Sequence, residues 1–239
     1  MKIISKYLIL SLALLSVLFA NPIKVNAVNT EFDTNDFPTE QKDSFISNVN
    51  LSTISKEPAP KTIFCFDVNN DHLIAVGQHA LNKKMVSVYT SDGTFQYGYI
   101  FNCSGSFGLE WDNENLNIYF VRSDLILSVT PSGEIVDVLE IQDTQSNNEY
   151  SNELLYSTKR KIGNTEYSIE SDIGAFLDFF APSYSQIVIT NENGERSIIY
   201  DVNDEQFFNM VLIITGFTAM FCLCAVLGYK EFRKHKYGG

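Results

Sequence analysis

Apolar positions along this chain fall into two kinds of pattern. Long uninterrupted runs lie near the ends, at Tyr7–Ala20 and Phe207–Tyr229, while from Thr62 onward short β-branched and aromatic runs alternate with clusters of Asn, Asp, Gly and Ser. Short runs bounded by turn formers are the mark of many short strands, and no amphipathic helical pattern competes with them here. The pattern therefore predicts an all-β domain. Its expected strands are Ile63–Asp67, His72–Gly77, Lys84–Thr90 and Thr94–Phe101, then Phe107–Asp112, Leu116–Arg122, Leu125–Thr130 and Glu134–Ile141. A third, divergent set runs through Glu153–Ser157, Glu166–Glu170, Ala175–Phe180, Gln186–Thr190 and Arg196–Val202. In that set Lys159–Asn164 reads as a polar turn, and Phe176, Phe179, Phe180 and Tyr184 supply core.

The first two sets can be laid over each other. Phe66-Asp67 aligns with Trp111-Asp112 and His72–Val76 with Asn117–Val121, both at an offset of 45 residues, and Tyr89–Gly93 aligns with Val129–Gly133 at 40. A period of this size fits a four-stranded repeat unit. Asn193-Gly194, a strong hairpin signal, takes the place of Asp92-Gly93 and Ser132-Gly133. The unit Gly108-Leu109-Glu110-Trp111-Asp112, with Asn117–Val121 and Leu127–Val136 after it, resembles a blade of the NHL-type and related six-bladed β-propellers. Those repeats run through a G-(I/L)-x-x-D start, an N-(I/L)-Y-V strand and a closing D-x-x-G-x-(I/V) hairpin. The resemblance extends to two or three blade-like units over residues 63–202. It implies a fold and no particular activity. Three units fall short of a closed ring, so the expected architecture is a partial propeller-like array of short antiparallel sheets. Its open edges would be covered by the segment before Lys61 or by another subunit.

The terminal runs place this domain at a membrane. Phe207–Tyr229 carries no charged side chain over 23 residues; as a helix it reaches about 35 Å, enough for a hydrocarbon core of about 30 Å. Lys230, Arg233, Lys234 and Lys236 follow as a stop-transfer cluster, making 230–239 a basic cytoplasmic tail and placing the preceding domain outside. Lys2 and Lys6, the run Tyr7–Ala20, the helix-breaking Asn21-Pro22 and the small residues Val25 and Ala27 read as a signal peptide over 1–27. An uncleaved anchor is the alternative, and it leaves the orientation unchanged. Residues 28–61, rich in Asn, Thr, Ser, Asp and Glu, read as a mobile acidic linker with a short amphipathic turn around Phe45–Leu51. Residues 62–204 form the extracytoplasmic β domain.

Charge narrows the partners. Between Val28 and Gln206, 28 acidic and 10 basic side chains leave a net charge of −18, which disfavours nucleic acid and anionic lipid. Cys65 and Cys103 are the two cysteines of this segment. Outside the cell they permit one disulfide; a buried free thiol at Cys65 with an incidental one at Cys103 is the alternative.

No residue stands out as catalytic, cofactor-binding or metal-binding. His72 and His79 are the histidines of the outer segment, and no Ser is flanked by the glycines of a nucleophile elbow. Asp67-Val68-Asn69-Asn70-Asp71 opens like a calcium loop, but His72 stands where Gly is required and Gln78 where the bidentate Glu belongs. A strand-connecting turn held by its own side chains is the preferred reading. The chain thus reads as a single-pass membrane-anchored binding or scaffolding module with no cofactor. Its expected partner is another membrane or cell-surface protein, or a second copy in an oligomer, besides the bilayer held by the C-terminal helix. A surface hydrolase using unidentified carboxylates and an accessory subunit of a transport or secretion complex are the alternatives.

Overall fold

Three hairpins of one geometry set the frame. In Thr90–Thr94, Thr130–Glu134 and Asn191–Glu195 the first residue donates its N–H to the carbonyl of the last at 2.9–3.0 Å and accepts from the glycine N–H at 2.9–3.0 Å. Gly93, Gly133 and Gly194 hold φ of 78–84°, a region that an L side chain enters only with strain. The repeat inferred from the sequence is thus a repeat of turn chemistry.

The computed structural model describes residues 28–80, 82–171 and 184–237, without the side chains of 205, 206, 209, 228 and 230–237. The expected signal peptide over 1–27 and the expected strand Ala175–Phe180, with Phe176, Phe179 and Phe180, lie outside the described residues. The order of elements is β1 (Thr34–Asp36), α1 (Thr39–Val49), β2 (Ser52–Ile54), β3 (Ile63–Val68), β4 (Ile74–Ala80), β5 (Lys83–Tyr89), β6 (Phe95–Phe101), β7 (Phe107–Asp112), β8 (Asn115–Phe120), β9 (Leu125–Val129) and β10 (Ile135–Ile141). Then follow α2 (Gln145–Tyr156), β11 (Lys159–Ile162), β12 (Thr165–Glu170), β13 (Gln186–Thr190), β14 (Arg196–Asp201) and α3 (Asn203–Tyr237).

These strands form three antiparallel sheets, ordered β2-β6-β5-β4-β3 (sheet I), β1-β10-β9-β8-β7 (sheet II) and β11-β12-β13-β14 (sheet III). Each contains a four-stranded meander, and no sheet closes on itself among the described residues. Sheet I lies in the middle. Its Cys65, Ala75, Val86, Val88 and Tyr99 pack against Leu109, Leu116, Ile118 and Leu127 of sheet II. Its other face, with Ile63, Phe66, Ile74 and Val76, packs against Tyr167, Ile169, Ile187 and Tyr200 of sheet III. Burial on both faces explains why Ile74–Val76 is apolar without alternation. The far face of sheet II is covered by α2 and the chain before β1, with Phe32, Tyr119, Ile126, Leu139 and Leu154 as a third cluster.

Two expectations need correction. Residues 28–61 are built into the fold instead of standing apart as a linker. β1 pairs with β10 through Thr34↔Ile141 and Asp36↔Leu139, and β2 pairs with β6 through Ser52↔Ile100 and Ile54↔Gly98. Between them α1 lays Phe45 edge-on to Phe120 at 5.2 Å and ties Lys42 to Asp137. Each strand is only three residues long, too short to show a period of two. The second correction concerns Glu153–Ser157, expected as a strand, and Lys159–Asn164, expected as a turn. Residues through Tyr156 belong to α2, β11 occupies Lys159–Ile162, and the turn shrinks to Gly163-Asn164. The inward side of α2 begins with Asn147, buried because its amide bonds Asp33 O and Gln142 O at 2.8 Å. A polar residue at that place breaks the apolar helical pattern.

The interface between sheets I and II generates a test. A Cβ at Gly77 would stand 2.9 Å from the Phe107 ring and closer still to Cys65 Sγ, so Gly77→Ala should lower stability by about 2 kcal/mol through overpacking. Thermal unfolding of the full chain in detergent measures it, and adding Cys65→Ala should recover part of the loss because the two sites couple.

Candidate binding cleft

The inner strands β3, β7 and β11, one from each sheet, converge at a single buried ion pair. Asp67 of β3 and Arg160 of β11 meet at 2.8 Å with side chains 14% and 17% exposed. The other Asp67 oxygen accepts the Trp111 N–H of β7 at 2.9 Å, and the Trp111 indole N–H reaches Asp67 O at 3.3 Å. The Arg160 guanidinium also donates to Lys159 O and Leu154 O and lies 5.4 Å from the centre of the Phe66 ring. Burial raises the Asp67 pKa, and Arg160 and the Trp111 N–H oppose that rise.

Beside this pair a cleft of about 430 Å³ opens, lined by the N-terminal segment at Asn29–Glu31, by Glu110 and Trp111 of β7, by Tyr150, Glu153 and Leu154 of α2, and by Lys159–Lys161 of β11. Glu110 is 8% exposed. Its oxygens accept from Tyr150 OH at 2.8 Å, Glu31 N–H at 2.9 Å, Thr30 OH at 2.5 Å and the Asn117 amide at 3.3 Å. Every one of these donors is neutral. Burial pushes the Tyr150 hydroxyl up, with neighbouring Glu110 adding to the rise, so it remains a donor. Arg160 and Asp67 neutralise each other, and Lys159 pairs with Glu166 at 2.7 Å. The arrangement holds charge in fixed places beside the half-buried Trp111.

Of the residues singled out from the sequence, Asp67 forms the ion pair of the cleft and the others lie elsewhere. Cys65 is a buried free thiol and Cys103 a half-buried one. Burial raises the pKa of both. The expected calcium-like segment is a turn in which Asn69 Oδ1 accepts from the N–H groups of Asp71 and Leu73 at 3.0 and 2.8 Å. His72, at a φ of 61°, places Nδ1 2.6 Å from Tyr167 OH. His79 lies 2.8 Å from Lys84 Nζ and edge-on to Phe64; burial and Lys84 lower its pKa. Among the described residues no group of three His, Cys, Asp or Glu is placed to hold a metal ion. Lys230, Arg233, Lys234 and Lys236 continue α3 beyond its apolar stretch, and their side chains lie outside the described residues. Arg160 was the residue missed by sequence reading, because nothing local announces a partner 93 positions away.

Removing the cation should expose the cost of burying Asp67. Its folded pKa is raised, so its contribution to stability is largest below the ordinary Asp range and is lost as pH rises through the folded pKa. Arg160→Met should therefore destabilise the full chain by about 3 kcal/mol at pH 7. Denaturant titrations repeated toward pH 4 should show the deficit shrinking as Asp67 takes up a proton. Adding Asp67→Asn should restore stability at pH 7.

A scan of protein-family models, a search of curated proteins and a search of solved structures found no match to this chain.

Proposed function

We propose that this chain is a single-pass membrane-anchored binding or scaffolding module whose β domain lies outside the cell and meets a partner in the membrane plane. The observation that carries the reading is the junction of β14 with α3. β14 ends at Asp201 and α3 begins at Asn203, and Met210–Leu227 within α3 is long and apolar enough to cross a membrane, with none of it buried. The basic residues after that stretch support a cytoplasmic C-terminus. One residue of connection leaves the domain next to the bilayer.

Edges supply the binding argument. The outer strands of sheets I and II are each capped by a strand from residues 28–61, whereas β14, the corresponding strand of sheet III, has no second strand partner among the described residues. Ile198 on β14 is 55% exposed. An uncapped edge with an exposed β-branched residue is suited to strand addition by another chain. The three meanders with matching hairpins support kinship with propeller blades. Apolar clusters join sheet I to sheet II and sheet I to sheet III, and among the described residues none joins sheet II to sheet III, which argues for an open array and not a ring.

Two measurements test this. The full chain should stay with membranes through an alkaline wash, while a chain ended at Val202 should be released. A photo-reactive residue at Ile198 should give a discrete adduct with another membrane protein in intact host membranes, and one at Ser132 on a capped sheet should give none. Release of the full chain, or adducts from neither position, would sink the reading.

A further inference from the structure

We infer that the groove between α1 and the turns after β4, β6 and β8 holds the phosphate head of a phospholipid from the adjoining leaflet. The inference goes beyond the partner reading and rests only on the domain lying against the bilayer.

The strand registers place the groove. The hairpins at Gly93, Gly133 and Gly194 close one end of the three sheets, and the chain leaves for α3 from the other. In sheet III that other end carries Gln186↔Asp201. In sheet I it carries Ala80↔Lys83 and Lys84↔Phe101. Ile63, at the start of β3, is tied there to Tyr184 by backbone hydrogen bonds of 2.7 and 2.9 Å, next to the Val202–Ser185 bond. In sheet II the same end carries Phe107↔Phe120 and Phe120↔Leu125, and Phe107 stacks on Phe64 of sheet I at 5.8 Å. The turns at Asn82, 102–106 and 121–124 therefore lie at the end from which the apolar helix departs.

Unpaired cations gather at this end. Of the 10 Lys and Arg between Val28 and Gln206, Lys42, Lys159, Arg160 and Arg196 pair with carboxylates. Lys83, Lys84 and Arg122 have no carboxylate partner among the described residues, and all three stand at the α3 end. Arg122 is exposed and makes no hydrogen bond or ion pair among the described residues. Asp124, in the same turn, is turned to Tyr119, whose OH it accepts at 3.2 Å. The Lys84 ammonium opposes the rise that burial gives the Cys103 thiol, so its charge is felt where Cys103 lines the groove.

The groove encloses about 570 Å³, with Phe45, Val49 and Phe120 as its apolar floor and Asn82, Ser104 and Arg122 exposed on its rim. No Asp or Glu lines it, unlike the cleft at Glu110 or the pocket at Asp71 and Glu114. A guanidinium with amide and hydroxyl donors above an apolar floor complements a group that is anionic at one end and apolar at the other. A phospholipid has that form. Its phosphate accepts from Arg122 and the rim, while its glycerol and first methylenes lie on the floor. A free anion leaves the floor unused, and a neutral lipid leaves Arg122 unused. The net charge of −18 opposes anionic surfaces at a distance, but at contact the groups within a Debye length of about 8 Å decide.

Cys103 reports occupancy of the groove. In the full chain carrying Cys222→Ser and Cys224→Ser it is the reactive thiol, because Cys65 is 2% exposed. Its alkylation by a small maleimide is followed in maltoside micelles against dihexanoylphosphatidylglycerol, dihexanoylglycerol and inorganic phosphate. The expected result is saturable protection by the phospholipid and none by the other two at the same concentration. In Arg122→Gln the half-protecting concentration should rise about tenfold, with the melting temperature unchanged because Arg122 holds nothing in the fold. Equal protection by dihexanoylglycerol makes the groove an apolar slot, and equal protection by inorganic phosphate makes it a free-anion site. Either result, no protection at all, or an Arg122→Gln variant protected like wild type overturns the inference. Binding is read in micelles, so failure here with the full chain still held through an alkaline wash removes the lipid site and leaves the anchored reading standing.

Discussion

A buried charge must be paired where it is buried, and that constraint organises this domain. Asp67, Trp111 and Arg160 come from three different sheets, yet their hydrogen bonds close on one carboxylate. Desolvating Asp67 is unfavourable by itself, as its raised pKa records, and only the simultaneous arrival of β7 and β11 compensates. Apolar packing holds sheet I against each neighbour but tolerates sliding. The carboxylate does not, because its acceptor geometry is met only at one relative placement of the three inner strands. The cleft is a consequence, since side chains gathered around a charge pair cannot all be apolar.

Sheet edges are the second constraint. Two of the outer edges are closed by chain that precedes the repeats, so residues 28–61 work as a clasp: β1 on sheet II, β2 on sheet I, and α1 between them with its Lys42–Asp137 pair. The chain before β1 then crosses the far face of sheet II, where Phe32 lies between Tyr119 and Tyr150 at ring distances of 5.1 and 4.7 Å. An open array can be stable in this way without closing a ring, because the outer edges of sheets I and II are covered from within the same chain.

Legibility followed the range of the interactions. Hairpins were legible because a turn is written in a few adjacent residues, and Asp92-Gly93, Ser132-Gly133 and Asn193-Gly194 each state a left-handed glycine plainly. Runs such as Ile74–Val76 of sheet I and Leu125–Leu127 of sheet II were legible because burial on both faces made them apolar without alternation. α2 was not, since Asn147 occupies an inward position through hydrogen bonds to Asp33 and Gln142, residues 114 and 5 positions away. Asp67 was noticed for a calcium-like spacing, which was a coincidence of turn chemistry. Its true partner, Arg160, looked like one polar residue among several. Glu110 could be found only as part of a blade-like motif, and three of its four donors, Thr30, Glu31 and Tyr150, come from segments that no local pattern connects to it.

The joint between sheet III and α3 ties the domain to its anchor as a rigid body would. Val202 donates its N–H to Ser185 O at 2.8 Å, Asn203 donates its N–H to Asp201 Oδ1 at 2.9 Å, and the Ser185 hydroxyl bonds the Asn203 side chain. The strand-to-helix turn is thereby made within one residue and pinned to β13. From Asn203 to the start of the apolar stretch at Met210 a helix rises about 10 Å. A domain held that close by a hydrogen-bonded joint has little freedom to tumble, so the direction in which β14 presents its edge is set by the helix. Orientation that is fixed before encounter lowers the entropic cost of meeting a partner whose own position is confined to the same plane. On the function proposed above, that geometry suits lateral recognition in the membrane plane.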